Sequence, residues 1–316
     1  MEENDVLETG ESKMNLPRLP EPPVRQVLMA QIGLMVFCAG VGMLLYLLIC
    51  KLTGWDPQLA INETSPAPER WQVRLQLGMA HFFGFFMAGA ITVWIFYRGI
   101  TQQQVSWQDY LQSRETPRWT TLSLSLLLML VSLPLVLYSL YLNQQLPLPE
   151  LFKSAEDQAE TALKGLLQME NMWELLANLT LIAILPAIGE ELVFRGVIQQ
   201  QLMRRIQNPW MTILLASVIF SAAHMQFEGF IPRMLLGFIL GWLYWKTQNF
   251  WVPVLCHFFN NGLQVIGQYL YKQDLSTVDL EKDIQVPWQF AAISLFMIWA
   301  VVRLIQQNLS KNPIAT

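Results

Sequence analysis

Two carboxylates and a guanidinium sit inside an apolar run, Leu181-Ile-Ala-Ile-Leu-Pro186-Ala-Ile-Gly189-Glu190-Glu191-Leu-Val-Phe194-Arg195-Gly196. Glu191 and Arg195 are four apart, so on a helix they share a face and can pair. Glu190 is turned by about 100° from Glu191. It faces a different neighbour and stays available as a proton acceptor. Farther on, Phe220-Ser221-Ala-Ala-His224 sets an imidazole beside small residues that let helices approach closely. His257-Phe-Phe-Asn260-Asn261 then puts His257 and Asn261 on one helix face, as two neutral donors aimed at one point. A carboxylate base, an imidazole and a pair of donors are the parts needed to activate a water and to hold charge developing on an oxygen.

A blander reading exists for each of these residues. A lone histidine in an apolar helix is usually a hydrogen-bonded structural residue, and His81 in the second apolar run is read that way. Asn260 and Asn261 can be interhelical glue. Glu191–Arg195 can serve structure alone, Arg233 can partner an acidic group or edge a cavity, and Glu228 can mark a membrane boundary. The set of two Glu, two His and an Asn in three neighbouring helices favours function. A charge at the centre of a bilayer costs roughly 2.5–3.5 kcal/mol, so such groups mark an interior where chemistry or transport happens.

The elements that must position these groups are membrane helices. Only 14% of the 316 residues are charged, against about 25% in soluble domains, and several runs approach the roughly 20 apolar residues that cross a bilayer. The fold class expected is all-α: a polytopic membrane protein with eight helices at about 27–50, 74–97, 119–142, 174–194, 210–226, 229–246, 251–271 and 287–305, enclosing an intramembrane cavity. Residues 1–26 are polar and Pro-rich and read as a disordered cytosolic tail, not a signal peptide. Residues 27–172 form N-terminal helices and loops, 173–272 the functional core, and 273–316 a last helix with a cytosolic tail. The segment 152–170 has mixed helical character and suits a surface helix lying against the bilayer or the protein. Between the spans, eleven Lys and Arg fall on the side of the N-terminus and seven on the other, so both termini are expected in the cytosol. Net charge is −4 and no basic stripe suggests nucleic acid. Cys38, Cys50 and Cys256 form no motif and read as buried small hydrophobes.

Helix geometry brings the polar groups to one level. If the chain reverses near residue 207, Glu191 lies about 16 residues before the turn and His224 about 17 after it, each about 25 Å deep. The turn at 246–250 puts His257 and Asn261 shallower, unless Gln199–Ile206 extends the fourth helix into the cytosol. The glutamines and arginines of that stretch make such an extension reasonable.

At these residues the chain resembles the CAAX protease and bacteriocin-processing family, the type II CAAX prenyl endopeptidase or Abi family of intramembrane proteases. That family carries a double Glu with Arg four residues after the second Glu, then Phe-x-x-x-His, then His-x-x-x-Asn. All three occur here in order, and the resemblance covers roughly residues 173–272. It implies that Glu190 activates a water with help from His224, that His257 and Asn261 bind the oxyanion, and that Glu191 and Arg195 order the helix. It implies an endopeptidase acting on a membrane-associated peptide or protein, by C-terminal CAAX-type processing or by maturation of a peptide precursor, in contact with the lipid bilayer. The compact chain suggests a bacterial plasma membrane. An older view of the family binds zinc through Glu and His. No His-Glu-x-x-His is present and His257 with Asn261 makes a poor zinc pair, so no cofactor is expected. Two other classes remain beside the enzyme: a non-catalytic or bacteriocin-immunity membrane protein of the same fold, and a transporter or proton relay, which would show repeated halves with broken helices; no repeat is visible. A cysteine protease using Cys256 is disfavoured, because Cys256 and His257 are adjacent and point about 100° apart.

Overall fold

The computed structural model describes residues 22–99, 106–147, 150–273, 275–276 and 286–311. Among these there are helices and no strands, as the composition requires. Residues 1–21 of the expected tail lie outside the described residues. Its last part is corrected: α1, Val24–Thr53, already starts behind Pro23 and ends on Gly54 in the left-handed region at φ 76°. Gly tolerates that conformation without a Cβ clash.

Helix α2 covers residues 67–99 and α3 is a single short piece, Trp107–Leu111. Helix α4 is Trp119–Gln144 and α5 is Glu150–Leu166. Helix α6 covers residues 172–206, α7 is Pro209–Ala223, α8 is Phe230–Thr247, α9 is Trp251–Lys272 and α10 is Trp288–Lys311. Among the described residues, four segments are long and apolar enough to cross a membrane: Val24–Thr53, Ala67–Tyr97, Trp119–Gln144 and Trp288–Lys311. The helices that carry the three motifs are shorter or more polar, and α7 also exposes Trp210, Met211 and Leu214 on its outer face. Their ionisable groups need protein, not lipid, around them. The chain is an integral membrane protein, and its outer helices show Val36, Phe37, Leu44, Phe296 and Trp299 on their exposed faces.

One apolar core joins α4, α7, α8, α9 and α10 through Leu128, Ile213, Leu243, Val252 and Ile305. A second joins α2, α3, α6, α8 and α9 through Val93, Tyr110, Leu192, Tyr244 and Val254. The reversals fall where polar residues punctuate the sequence. Gln207 takes φ 60° and Asn208 caps α7 by accepting from the Met211 N–H at 3.1 Å. Gln248 takes φ 47° between α8 and α9. Helix α7 ends at Ala223, short of residue 226, because Met225 turns left-handed at φ 55°.

Helix α6 does run to Ile206, but its glutamines are not a solvated extension. Gln199, Gln200 and Gln201 are fully buried. Gln199 Nε2 donates to the Gly241 carbonyl at 2.9 Å, Gln200 Nε2 to the Tyr244 hydroxyl at 2.6 Å, and Gln201 to the Tyr97 hydroxyl. An amide buried at this depth must find such partners or forfeit its hydration. The segment 152–170 is helical to Leu166, and Glu156 on α5 accepts from the backbone N–H groups of Phe227 and Glu228 at 2.7 and 3.3 Å. That helix lies against the loop that follows His224.

Candidate active site

Glu190 and Glu191 end a regular stretch of α6, Leu185–Glu191, flanked on both sides by wider π-helical turns, Leu179–Ile184 and Leu192–Gln199. Such turns often accompany functional sites. The carbonyl of Ile182, in the first of these turns, accepts from Asn261 Nδ2 at 3.0 Å.

The Glu191–Arg195 pair forms with Arg195 Nη1 at 2.8 Å from Glu191 Oε1, both side chains buried. Arg195 Nη2 donates to the Gly237 carbonyl at 2.8 Å, and the guanidinium lies 4.9 Å from the centre of the Phe220 ring. The first residue of the Phe-x-x-x-His pattern therefore acts as a platform for the arginine. Phe220 also meets His224 and His257 edge-on, at centroid distances of 5.0 and 6.1 Å.

His257 Nδ1 lies 2.9 Å from the same Glu191 oxygen. A carboxylate at that distance orients the ring and selects the nitrogen that carries the proton. The other nitrogen, Nε2, turns to Glu190 Oε2 at 4.0 Å, and His224 Nε2 faces the same oxygen at 3.8 Å. His224 is held from behind, its Nδ1 at 3.0 Å from the Phe220 carbonyl. His224 of α7 and His257 of α9 thus face Glu190. His257 and Asn261 each have a partner on α6, Glu191 for His257 Nδ1 and the Ile182 carbonyl for Asn261 Nδ2.

Glu190 itself differs from its neighbours. It is 2% exposed, yet no group among the described residues donates a hydrogen bond to its carboxylate. Its surroundings are three imidazoles at 3.7–4.0 Å. The third is His81 of α2, whose Nδ1 stands 3.7 Å from Glu190 Oε1. The structural role expected for His81 is corrected here: it belongs to the cluster. Gly189 makes this approach feasible, since a Cβ there would come 3.1 Å from the Phe86 backbone nitrogen and 3.2 Å from Phe85 Cβ. The side chains of His224 and His81 are 27% and 21% exposed, so the carboxylate is reached from their side. Cavities of about 290 and 220 Å³ lie elsewhere, beside Arg70 and Glu170 and beside Asn143 and Phe227. Neither contains Glu190.

Zinc takes four ligands at about 2.0–2.2 Å from His and carboxylate. Glu191 Oε1 is already shared by Arg195 and His257, and no group of three His, Cys, Asp or Glu among the described residues is arranged to hold a metal. Cys256 is fully buried and heads no such arrangement.

Arg233 turns back on its own loop, bonding Gln226 through its side-chain oxygen at 3.1 Å and through its carbonyl. Asn260 donates to Asn261 Oδ1 at 3.1 Å, steadying the amide next to the site.

Comparison with known proteins finds relatives over part of the chain. Residues 172–263 match the family model described as type II CAAX prenyl endopeptidase Rce1-like. The candidate membrane peptidase YdiL of Bacillus subtilis (strain 168) is 33% identical over 86 residues, 27% of this chain and 35% of YdiL. The UPF0177 protein YxdF of Lactococcus lactis subsp. lactis (strain IL1403) is 29% identical over 98 residues, 31% of this chain and 53% of YxdF. YpbD of Bacillus subtilis (strain 168) is 33% identical over 85 residues, 26% of this chain and 40% of YpbD. The chain therefore spans about a third to a half of the length of the curated relatives it matches. No solved structure matches it. Both glutamates, Arg195, His224, His257 and Asn261 fall inside the CAAX endopeptidase segment; His81 falls outside it.

Proposed function

We propose that the protein is an intramembrane endopeptidase in which Glu190 activates a water for attack on a peptide carbonyl. The observation that carries this reading is the Glu190 carboxylate, buried and without a hydrogen bond, with His224 Nε2 and His257 Nε2 3.8 and 4.0 Å from one of its oxygens. A carboxylate with that much free acceptor capacity is set up to take a proton.

In the step proposed, Glu190 takes a proton from water while His224 holds the water. The water oxygen bonds to the carbonyl carbon, and the π electrons of the carbonyl move to its oxygen. His257 Nε2 and the second amide hydrogen of Asn261 receive that oxyanion. With Nδ1 engaged by Glu191, Nε2 can donate only when both ring nitrogens carry protons. Collapse of the intermediate breaks the C–N bond, and Glu190 returns its proton to the leaving nitrogen. The products are a carboxylic acid and an amine, with no metal and no covalent intermediate.

The substrate class that fits is a membrane-associated protein or peptide, as in CAAX-type C-terminal processing or precursor maturation. Support comes from the CAAX endopeptidase match and from the burial of the site among membrane helices. The relatives are bacterial, which supports a plasma membrane setting, and the distribution of basic residues supports cytosolic termini. The test is a comparison of peptides released from membranes of cells producing the wild type or Glu190→Ala. New carboxyl termini seen only with the wild type are expected and would name the substrate. Identical peptide sets at equal protein levels would refute the endopeptidase reading.

A further inference from the structure

His81 lies outside the three motifs and outside the CAAX endopeptidase segment, on a helix far from Glu190 in sequence. Its Nδ1 faces Glu190 Oε1 at 3.7 Å, whereas His224 and His257 both face Oε2. That nitrogen is buried and has no hydrogen-bond partner. The ring is held by packing instead: it stacks on Phe85 with centroids 5.6 Å apart and planes at 23°. Phe85 in turn lies 3.2 Å from the position of a Cβ at Gly189, next to the glutamate. Three independent features thus bring one unsatisfied imidazole nitrogen to the oxygen of Glu190 that the other histidines leave alone.

A carboxylate that activates water must present one oxygen in a fixed direction, and a free carboxylate rotates. In catalytic groupings the base is commonly oriented by a third group. We propose that His81 is a positioning residue for Glu190: its Nδ1–H donates to Oε1 and so holds Oε2 toward His224 and His257. The proposal rests on the reading of Glu190 as the water-activating base. A movement of about half an ångström brings the pair within hydrogen-bond range, and such contacts commonly tighten when substrate and water are bound.

The test uses the full chain purified in detergent, as wild type and as Glu190→Gln, His81→Leu, His81→Asn and His81→Gln. The probe is a fluorogenic peptide set anchored by an S-farnesyl cysteine or by an apolar transmembrane segment. His81→Leu is expected to lower kcat by about 10–100-fold, the usual loss when an orienting partner is removed, with KM unchanged as befits a group that never touches substrate. His81→Asn places an amide nitrogen near the Nδ1 position and is expected to restore most of kcat. His81→Gln reaches the Nε2 position instead and is expected to resemble His81→Leu. Wild-type kcat in His81→Leu beside an inactive Glu190→Gln overturns this inference and leaves the base reading standing. An active Glu190→Gln, or a wild type that cleaves no member of the set, overturns both. If His81→Leu shows no folded melting transition, the Asn and Gln variants decide, and equal kcat in those two overturns the proposal.

Discussion

Helices α2 and α6 hold two buried ionic clusters, one near their N-terminal ends and one about 24 Å farther along α6. In the first, Arg70 donates to Glu174, to Glu170 and to the Ser65 carbonyl at 2.7–3.1 Å. Arg74 donates to Glu174, to Asn178 and to the Leu166 carbonyl at 2.8–3.0 Å. Glu174 also accepts the Glu170 backbone N–H at 2.8 Å. Nearly every buried polar atom of this cluster is used within it. In the second, Arg195 is tied to Glu191 Oε1, but among the described residues Glu191 Oε2 and His81 Nδ1 are buried without a hydrogen-bond partner and Glu190 accepts none. The contrast separates a structural clamp from a working site. A buried charge satisfied on all sides fixes geometry, and a buried carboxylate left open among imidazoles is available for proton transfer.

The comparison can be broken most directly at the open carboxylate. Glu190→Gln keeps the shape and loses the proton acceptor, so cleavage should fall by about 10²–10⁴-fold, the range for loss of a general base. The melting temperature in detergent should be preserved. Near-normal turnover by the purified variant would remove Glu190 from the role given to it. His224→Ala and His257→Ala should each abolish cleavage as well, with the protein still inserted.

The clamp should answer in the opposite way. Glu174→Ala strands two buried guanidinium groups, and breaking a buried pair costs about 3–5 kcal/mol. Thermal unfolding should move down strongly, while the folded fraction keeps its kcat. An unchanged melting curve would show that Arg70 and Arg74 find water in place of Glu174.

Arg195→Ala sharpens the boundary between the two plans, because the pair it breaks is structural but touches the site. Stability should fall by a similar few kcal/mol, and activity should fall too, since Glu191 loses the partner that holds it against His257. Loss of activity with no loss of stability would shift Arg195 from scaffold to chemistry.

The smallest effect concerns metal. Purified protein should carry substoichiometric zinc by elemental analysis and keep its activity after chelation. One zinc per chain, with activity lost on stripping and restored by zinc alone, would reassign Glu190 and the histidines as ligands.

Much of this site is legible in the sequence because it depends on short-range periodicity. The spacing of Glu191 and Arg195 determines that they meet on any helix. The polar stretches at 204–209 and 246–250 determine where the chain turns, and the level of His224 with Glu191 follows from counting residues. The membrane class follows from apolar runs of sufficient length. Contacts between helices have no such rule. His81 carries no spacing signal toward Glu190, and its place depends on which face of α2 packs on α6, a matter settled by Gly189 admitting the Phe85–Phe86 backbone. The buried glutamines 199–201 look like a solvated helix end until Tyr97, Tyr110 and Tyr244 are brought over them. Asn261 meets the Ile182 carbonyl across helices, in the π-helical stretch Leu179–Ile184. Composition, period and loop punctuation are local properties, and the chain alone determines them. Which polar atom ends beside which, across helices far apart in sequence, is decided by the packing of their faces.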